Sequence, residues 1–130
     1  LAIGRQWRVP RRNAAAVAVW AMTRGRQITV VPAGERWPDG SLRPALEDWL
    51  GAGAIIRHLA SSRSPEADGA VAAYESTKDR LHIHIRTCGS GRELIERDFE
   101  GDVELAAQVD VSMCVPVLAE GAFVRSADAS

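Results

Sequence analysis

The chain has 130 residues, 46% of them hydrophobic and 25% charged, with a net charge of −1. That length suits one domain and suffices to bury about two thirds of the unfolded surface. No run approaches the roughly 20 apolar residues of a membrane span, and no basic, apolar, small-residue leader opens the sequence. Two cysteines without metal-type spacing point to a reduced, cytoplasmic setting rather than a disulfide framework.

Charge is unevenly placed: Arg5, Arg8, Arg11, Arg12, Arg24 and Arg26 precede Gly34 with no acid among them, and everything beyond sums to −7. Such asymmetry suits nucleic acid or a small anion. Four of the six arginines lie in an end without structural periodicity, so an end effect is the expected reading and no nucleic-acid partner is assigned.

Residues 1–11, LAIGRQWRVPR, form an atypical start with neither helical nor strand periodicity. NAAAVAVWAMTRG follows, with Asn13 as N-cap of an Ala-rich helix and Gly25 as its terminator. QITVVPA (27–33) reads as a short strand covered on both faces, giving the αβ half of a βαβ unit. After the turn formers of GERWPDGSLRP, a helix is predicted from near Leu42, with Ser41 as cap, Pro44 in its first turn, and Glu47 and Asp48 where the macrodipole favours negative charge. This helix carries Leu46, Trp49, Leu50, Gly53, Ile56 and Ala60 on one stripe and more apolar residues opposite, so it should be buried nearly all round. Two interior glycines, Gly51 and Gly53, each cost roughly 1 kcal/mol against Ala and call for close packing or close approach to a ligand.

The remainder reads as mainly helical. Ser64, Pro65, Glu66 and Asp68 open a helix running to about Glu75. Around 79–86, Leu81, Ile83 and Ile85 alternate with His82 and His84 as in a strand, while Leu81 and Ile85 also have helical spacing, and periodicity leaves the choice open. SGRE (90–93) predicts a capping box, Asp98 a cap for EGDVELAAQV, and VPVL precedes a polar tail at 125–130.

Most single motifs have ordinary explanations. His82 and His84 lack a third metal ligand at a telling distance. Cys88 stands before a helix start, where a thiolate can be activated, but a buried inert thiol is the expected state. Ser90 has no candidate base. Convergence is stronger in VVPAGERWPDGSLRPALEDWLGAG, where helix starts at Asn13 and near Leu42 flank the strand end Pro32, Ala33 and Gly34. Ligands gather at strand carboxyl ends in α/β folds, and helix starts bind anions. Arg12 and Asn13 supply donors, and Glu47 and Asp48 supply hard oxygens for a cation such as Mg2+. Adjacent cation and anion sites suggest phosphoryl chemistry.

RRNAAAVAVWA, TVVPAGERWPDGSLRPALEDWLGAGAII, SPEADGAVAAYE, CGSGREL and DFEGDVELAAQVDVSMCVPVL, in that order, resemble the C-terminal half of the 2-phosphosulfolactate phosphatase family across residues 12–124. The most specific matching elements are Ala33-Gly34, Glu47-Asp48 and Ala52-Gly53. The resemblance implies a three-layer α/β/α domain, here a C-terminal portion with a helix-strand-helix start. It also implies Mg2+-dependent hydrolysis of (2R)-2-phospho-3-sulfolactate to 3-sulfolactate and phosphate, a step of coenzyme M biosynthesis. Family members carry an N-terminal half with an Asp-x-x-Arg-Ala-Ser/Thr-Thr-Thr stretch and a Thr-Thr-Asn-Gly-Thr loop, neither of which is present, and an apolar strand where this chain has LAIGRQWRVPR. A truncated or misassembled start is therefore expected.

On that resemblance, Glu47 or Asp48 would bind Mg2+ or position water. Arg12, Asn13, Ala33 and Gly34 would face the phosphate or sulfonate of a small anionic substrate. A homo-oligomer is compatible with this reading. The alternative function is a non-catalytic remnant that binds an anion or pairs with another chain, with apolar surface left bare.

Overall fold

The computed structural model describes residues 11–126. Most of the atypical start and of the tail lies outside these residues; Arg11, Arg125 and Ser126 lie within them. The described chain is a mixture of helices and two small sheets.

A 3-10 turn at Arg11–Asn13 leads into α1 (Ala14–Met22). Asn13 occupies the N-cap position but does not cap: its Nδ2 donates to the Cys114 carbonyl at 2.6 Å. The cap is supplied from far along the chain by Asp110, whose Oδ1 accepts the Ala15 N–H at 2.7 Å. Helix α1 ends before Gly25, because the Thr23 and Arg24 N–H groups close back on the Trp20 and Ala21 carbonyls and tighten the last turn.

The strand expected at 27–33 does not form a ladder. No other strand among the described residues lies alongside to complete the hydrogen bonds that define a sheet. Ile28 and Val30 nevertheless pack inward.

The turn-rich loop instead makes a hairpin of β1 (Glu35–Arg36) and β2 (Leu42–Arg43), with Glu35 opposite Arg43. Ser41 gives its N–H and hydroxyl to Asp39 rather than capping a helix. Pro44 follows β2, and α2 (Leu46–Ile56) starts after an extended Ala45, later than near Leu42. Glu47 and Asp48 do fall in its first turn, and residues 51–56 are all buried.

Helix α3 (Pro65–Thr77) begins as its local chemistry dictates, with Ser64 Oγ accepting the Ala67 N–H. It packs closely on α2 through Gly53. A Cβ at that position would lie 2.1 Å from the Ala70 carbonyl oxygen and 2.8 Å from Tyr74 Cβ.

Residues 81–87 are helical (α4, Leu81–Thr87), with Leu81 and Ile85 buried on one face and Ile83 exposed. α5 (Gly89–Glu96) follows Cys88, and the expected capping box is absent: Ser90 lies inside the helix, and Glu93 is drawn into an ion pair with Arg43. Asp98 caps nothing either. At φ 63° it is the left-handed residue of a Schellman ending, in which Phe99 N–H returns to the Leu94 carbonyl and Asp98 N–H to that of Ile95. α6 (Glu100–Ala107) comes next. VPVL enters β3 (Pro116–Ala119), which pairs with β4 (Ala122–Arg125) across Glu120 and Gly121. Both turn residues have positive φ, the backbone twist that two-residue hairpin turns require.

Two apolar clusters share α1. Ala14 and Ala18 face α2, α3, α4 and α6 with Leu50, Tyr74, Leu81, Ile85 and Val103, whereas Val17, Trp20 and Ala21 meet Val115 and Val117 beside and within β3. No helix among the described residues is long and apolar enough to cross a membrane.

Candidate functional site

The first turn of α2 is the point where separate parts of the chain converge. Asp48 Oδ2 accepts the Gly34 N–H at 2.8 Å, tying the helix to the loop before β1. Gly34 suits the place because its φ is +68° and an added Cβ would lie 2.9 Å from the Arg43 carbonyl oxygen. Asp48 is half-buried, and Ala33 is exposed.

Arg11 approaches the same turn from the other side. Its guanidinium donates to the Glu47 carbonyl and, from Nε and Nη2, to the Ala106 carbonyl at 3.0 and 2.6 Å. It thus joins the start of α2 to the end of α6, with only 5% of its surface exposed. Burial lowers its pKa from the usual value, and the carboxylates of Glu47 and Asp48 oppose that shift. The charge is retained, since arginine begins from so high a value. Gly51 leaves room for the arginine stem: a Cβ there would stand 3.6 Å from Arg11 Cγ, an ordinary contact.

Glu47 extends toward the α4–α5 corner, where the Cys88 Sγ lies 3.8 Å from its Oε2. The thiol also donates to the Ile85 carbonyl at 3.2 Å. Burial pushes the Cys88 pKa above 9.0, and the Glu47 carboxylate adds to the shift. The half-buried thiol is thus held in its protonated form, despite its place at a helix start.

Arg43 closes the outer side. It holds Glu93 through two bonds of 3.0 and 2.7 Å, lies 3.4 Å from Glu35, and stacks 4.8 Å from the Trp37 ring centre. Its bonds to Glu93 raise the arginine pKa and lower that of the glutamate.

The expected site residues therefore fall into two groups. Gly34, Glu47 and Asp48 are brought together, with Arg11 and Cys88 added by the structure. Arg12 and Asn13 are held toward the segment after α6: the Arg12 carbonyl accepts from Ser112 N–H, and Asn13 donates to Cys114. Arg12 Nε and Asn13 Oδ1 are buried without hydrogen-bond partners among the described residues. At the start of α1, the Ala15 donor is already satisfied by Asp110, whose other oxygen lies 3.2 Å from His58 Nε2.

Sequence reasoning missed Arg11, counted there with the atypical start, and Asp110. Neither has a local signature, because both act on elements distant in sequence. His82 and His84 remain without a third ligand, and no group of three or more His, Cys, Asp or Glu side chains poised to hold a metal occurs among the described residues.

The domain is a mixture of helices and small sheets in which an acidic helix start is clamped to a glycine loop and backed by a buried arginine. The particular family follows from comparison with known proteins. The family profile described as 2-phosphosulpholactate phosphatase matches residues 10–121, so the chain belongs to that family. Its name denotes a phosphatase, a phosphoric monoester hydrolase. No curated protein matches the chain.

Proposed function

We propose that this chain is a Mg2+-dependent phosphatase-type hydrolase acting on 2-phospho-3-sulfolactate to release 3-sulfolactate and phosphate. Family membership supports the chemistry. The Asp48–Gly34 hydrogen bond supports the location, since it fixes the acidic helix start against the loop that carries the family's Ala-Gly pair.

In this reading Asp48 is chiefly a positioning residue that holds the 32–34 loop. Glu47 is the carboxylate nearer the chemistry, set between Arg11 and Arg43, both of whose charges it stabilises. The loop backbone at Ala33 is the donor offered to a phosphate or sulfonate, while Arg12 and Asn13 stand apart from it, held toward the segment after α6. Gly34 contributes through its fold rather than its N–H, which Asp48 engages.

Mg2+ takes oxygen ligands and is commonly held by one or two carboxylates, with substrate phosphate and water completing its shell. Glu47 and Asp48 fit in donor type, but side chains one residue apart on a helix diverge, so one of them and not the pair would hold the ion. When bound, the ion would neutralise phosphoryl charge and make water a better nucleophile. The chain's own residues bind and orient: cationic side chains attract the polyanionic substrate, and Glu47 holds a proton-accepting oxygen beside it.

The test is phosphate release from phosphosulfolactate by the purified chain, with and without Mg2+. Turnover that depends on Mg2+ and is lost in a folded Glu47→Gln, Asp48→Asn double variant is expected. Full activity in that variant would remove the assigned site, and absence of turnover at any Mg2+ concentration would favour a non-catalytic binding module.

A further inference from the structure

His58 Nε2 lies 3.2 Å from Asp110 Oδ2, an acceptor, and 3.3 Å from Arg57 Nε, a donor. A ring nitrogen carries either a hydrogen or a lone pair, so Nε2 satisfies one of these neighbours at a time. Protonated imidazole has a hydrogen on each nitrogen and turns Nε2 to Asp110. Neutral imidazole can offer a bare Nε2 to Arg57.

Asp110 is the fixed member of the group. Its φ of 51° is left-handed, its N–H donates to the Arg11 carbonyl at 3.1 Å, and its Oδ1 accepts the Ala15 N–H at 2.7 Å. One residue thus ties the segment after α6 to the 3-10 turn and to the first turn of α1. His58 stands in the turn that ends α2, its N–H bonded to the Ile55 carbonyl. The His58 and Asp110 side chains are 26% and 28% exposed, so the imidazole exchanges protons with solvent in place.

We propose that His58 is a pH-operated latch between the end of α2 and the cap of α1. Protonated, it donates from Nε2 to Asp110 and fixes the carboxylate on Ala15; neutral, it accepts from Arg57 at the bare Nε2 and releases Oδ2.

The surrounding charges leave these two neighbours to decide the matter. Helix α3 contributes Tyr74, 5.2 Å beneath the Arg57 guanidinium, and Glu75, 3.3 Å from Arg57 Nη1 and itself paired with Lys78. Glu75 therefore holds the far end of the guanidinium and leaves Nε to the imidazole. Arg63 donates to the Arg57 carbonyl and lies 3.8 Å from Asp68. Imidazole ordinarily titrates between about pH 5 and 8, a range in which carboxylates and guanidinium groups keep their charges. The Asp110 contact is accordingly complete at the acid side of that range and loosened at the other.

The test is nitrogen-15 magnetic resonance and amide exchange on the full chain across that range. On titration His58 should lose the hydrogen from Nε2, and the Ala15 amide shift should move with the same midpoint. Ala15 protection, corrected for the intrinsic pH dependence of exchange, should fall about threefold or more. His58→Gln should abolish the Ala15 response while His82 and His84 still titrate. Arg57→Met keeps a stem over Tyr74 but removes the competing donor, so the neutral ring should keep its Nε2 hydrogen on Asp110 and Ala15 protection should no longer fall. A neutral His58 that retains the Nε2 hydrogen in the parent chain, Ala15 protection independent of pH, or an Ala15 response that survives in His58→Gln or Arg57→Met would overturn the proposal.

Discussion

Gly53→Ala and Gly51→Ala are the same chemical change two residues apart on α2, and the structure assigns them opposite outcomes. At Gly53 the new methyl group would lie 2.1 Å from the Ala70 carbonyl oxygen, a backbone atom that cannot rotate away. Restoring an ordinary contact requires α2 and α3 to separate by more than an ångström, around the buried Ala54, Ala70 and Tyr74. Overpacking costs about 1–3 kcal/mol, and a backbone obstacle belongs at the upper end of that range. The gain in helix propensity returns about 1 kcal/mol, leaving a net loss of about 2 kcal/mol. For a chain of this length the melting temperature should fall by roughly 8 °C. At Gly51 the methyl would sit 3.6 Å from Arg11 Cγ without conflict, so the propensity gain should survive and raise the melting temperature by a few degrees. Thermal and urea unfolding followed by circular dichroism measure both variants. A Gly53→Ala protein as stable as Gly51→Ala would refute the close-packing account of this glycine.

Two further changes probe contacts at the helix starts. Asp110→Ala removes the remote cap of α1 and should cost about 1–2 kcal/mol in urea unfolding, with faster amide exchange at Ala15 as the local signature. Cys88 should alkylate slowly at neutral pH, because burial and the Glu47 carboxylate raise its pKa above 9.0, and Glu47→Gln should speed the reaction. The sign for stability is the same: a raised pKa favours the folded state while the thiol is protonated, so this contribution is present below 9.0 and is lost as pH rises through the folded value.

Features whose causes lie within a few residues were legible in the sequence. Ser64, Pro65, Glu66 and Asp68 specify the start of α3 locally, and that helix begins where they indicate. Glu47 and Asp48 were likewise readable as a first-turn pair, and the apolar run 50–56 of α2 as burial, whereas Trp49 and Ala60 of the expected stripe are exposed. The failures share a cause: a distant partner or a competing local bond outweighed a local signal. Asn13 has the chemistry of a cap, but Cys114 takes its amide and Asp110 takes its role. Glu93 could have closed a capping box, but Arg43, fifty residues earlier, offers two charged hydrogen bonds instead. Asp98 was needed as a left-handed turn residue, which a short polar side chain tolerates. Residues 27–33 carry a strand's composition, but a strand exists only with a neighbour. Of the site, the Gly34–Asp48 approach followed from convergence on one loop, whereas the burial of Arg11 depends on α6 and could not be read from its neighbours.

The bonds from Arg11 to Ala106, from Asp110 to Ala15 and from Asn13 to Cys114 span 95, 95 and 101 positions. During synthesis, α1 emerges from the ribosome long before any of these partners exists, so its first turn must wait uncapped until the segment 95 positions further on has been made. Closing a loop of that size costs about 4 kcal/mol of chain entropy. One closure serves all three bonds, which makes them a single late event: a ribosome that stalls before residue 106 would release a chain lacking every one of them.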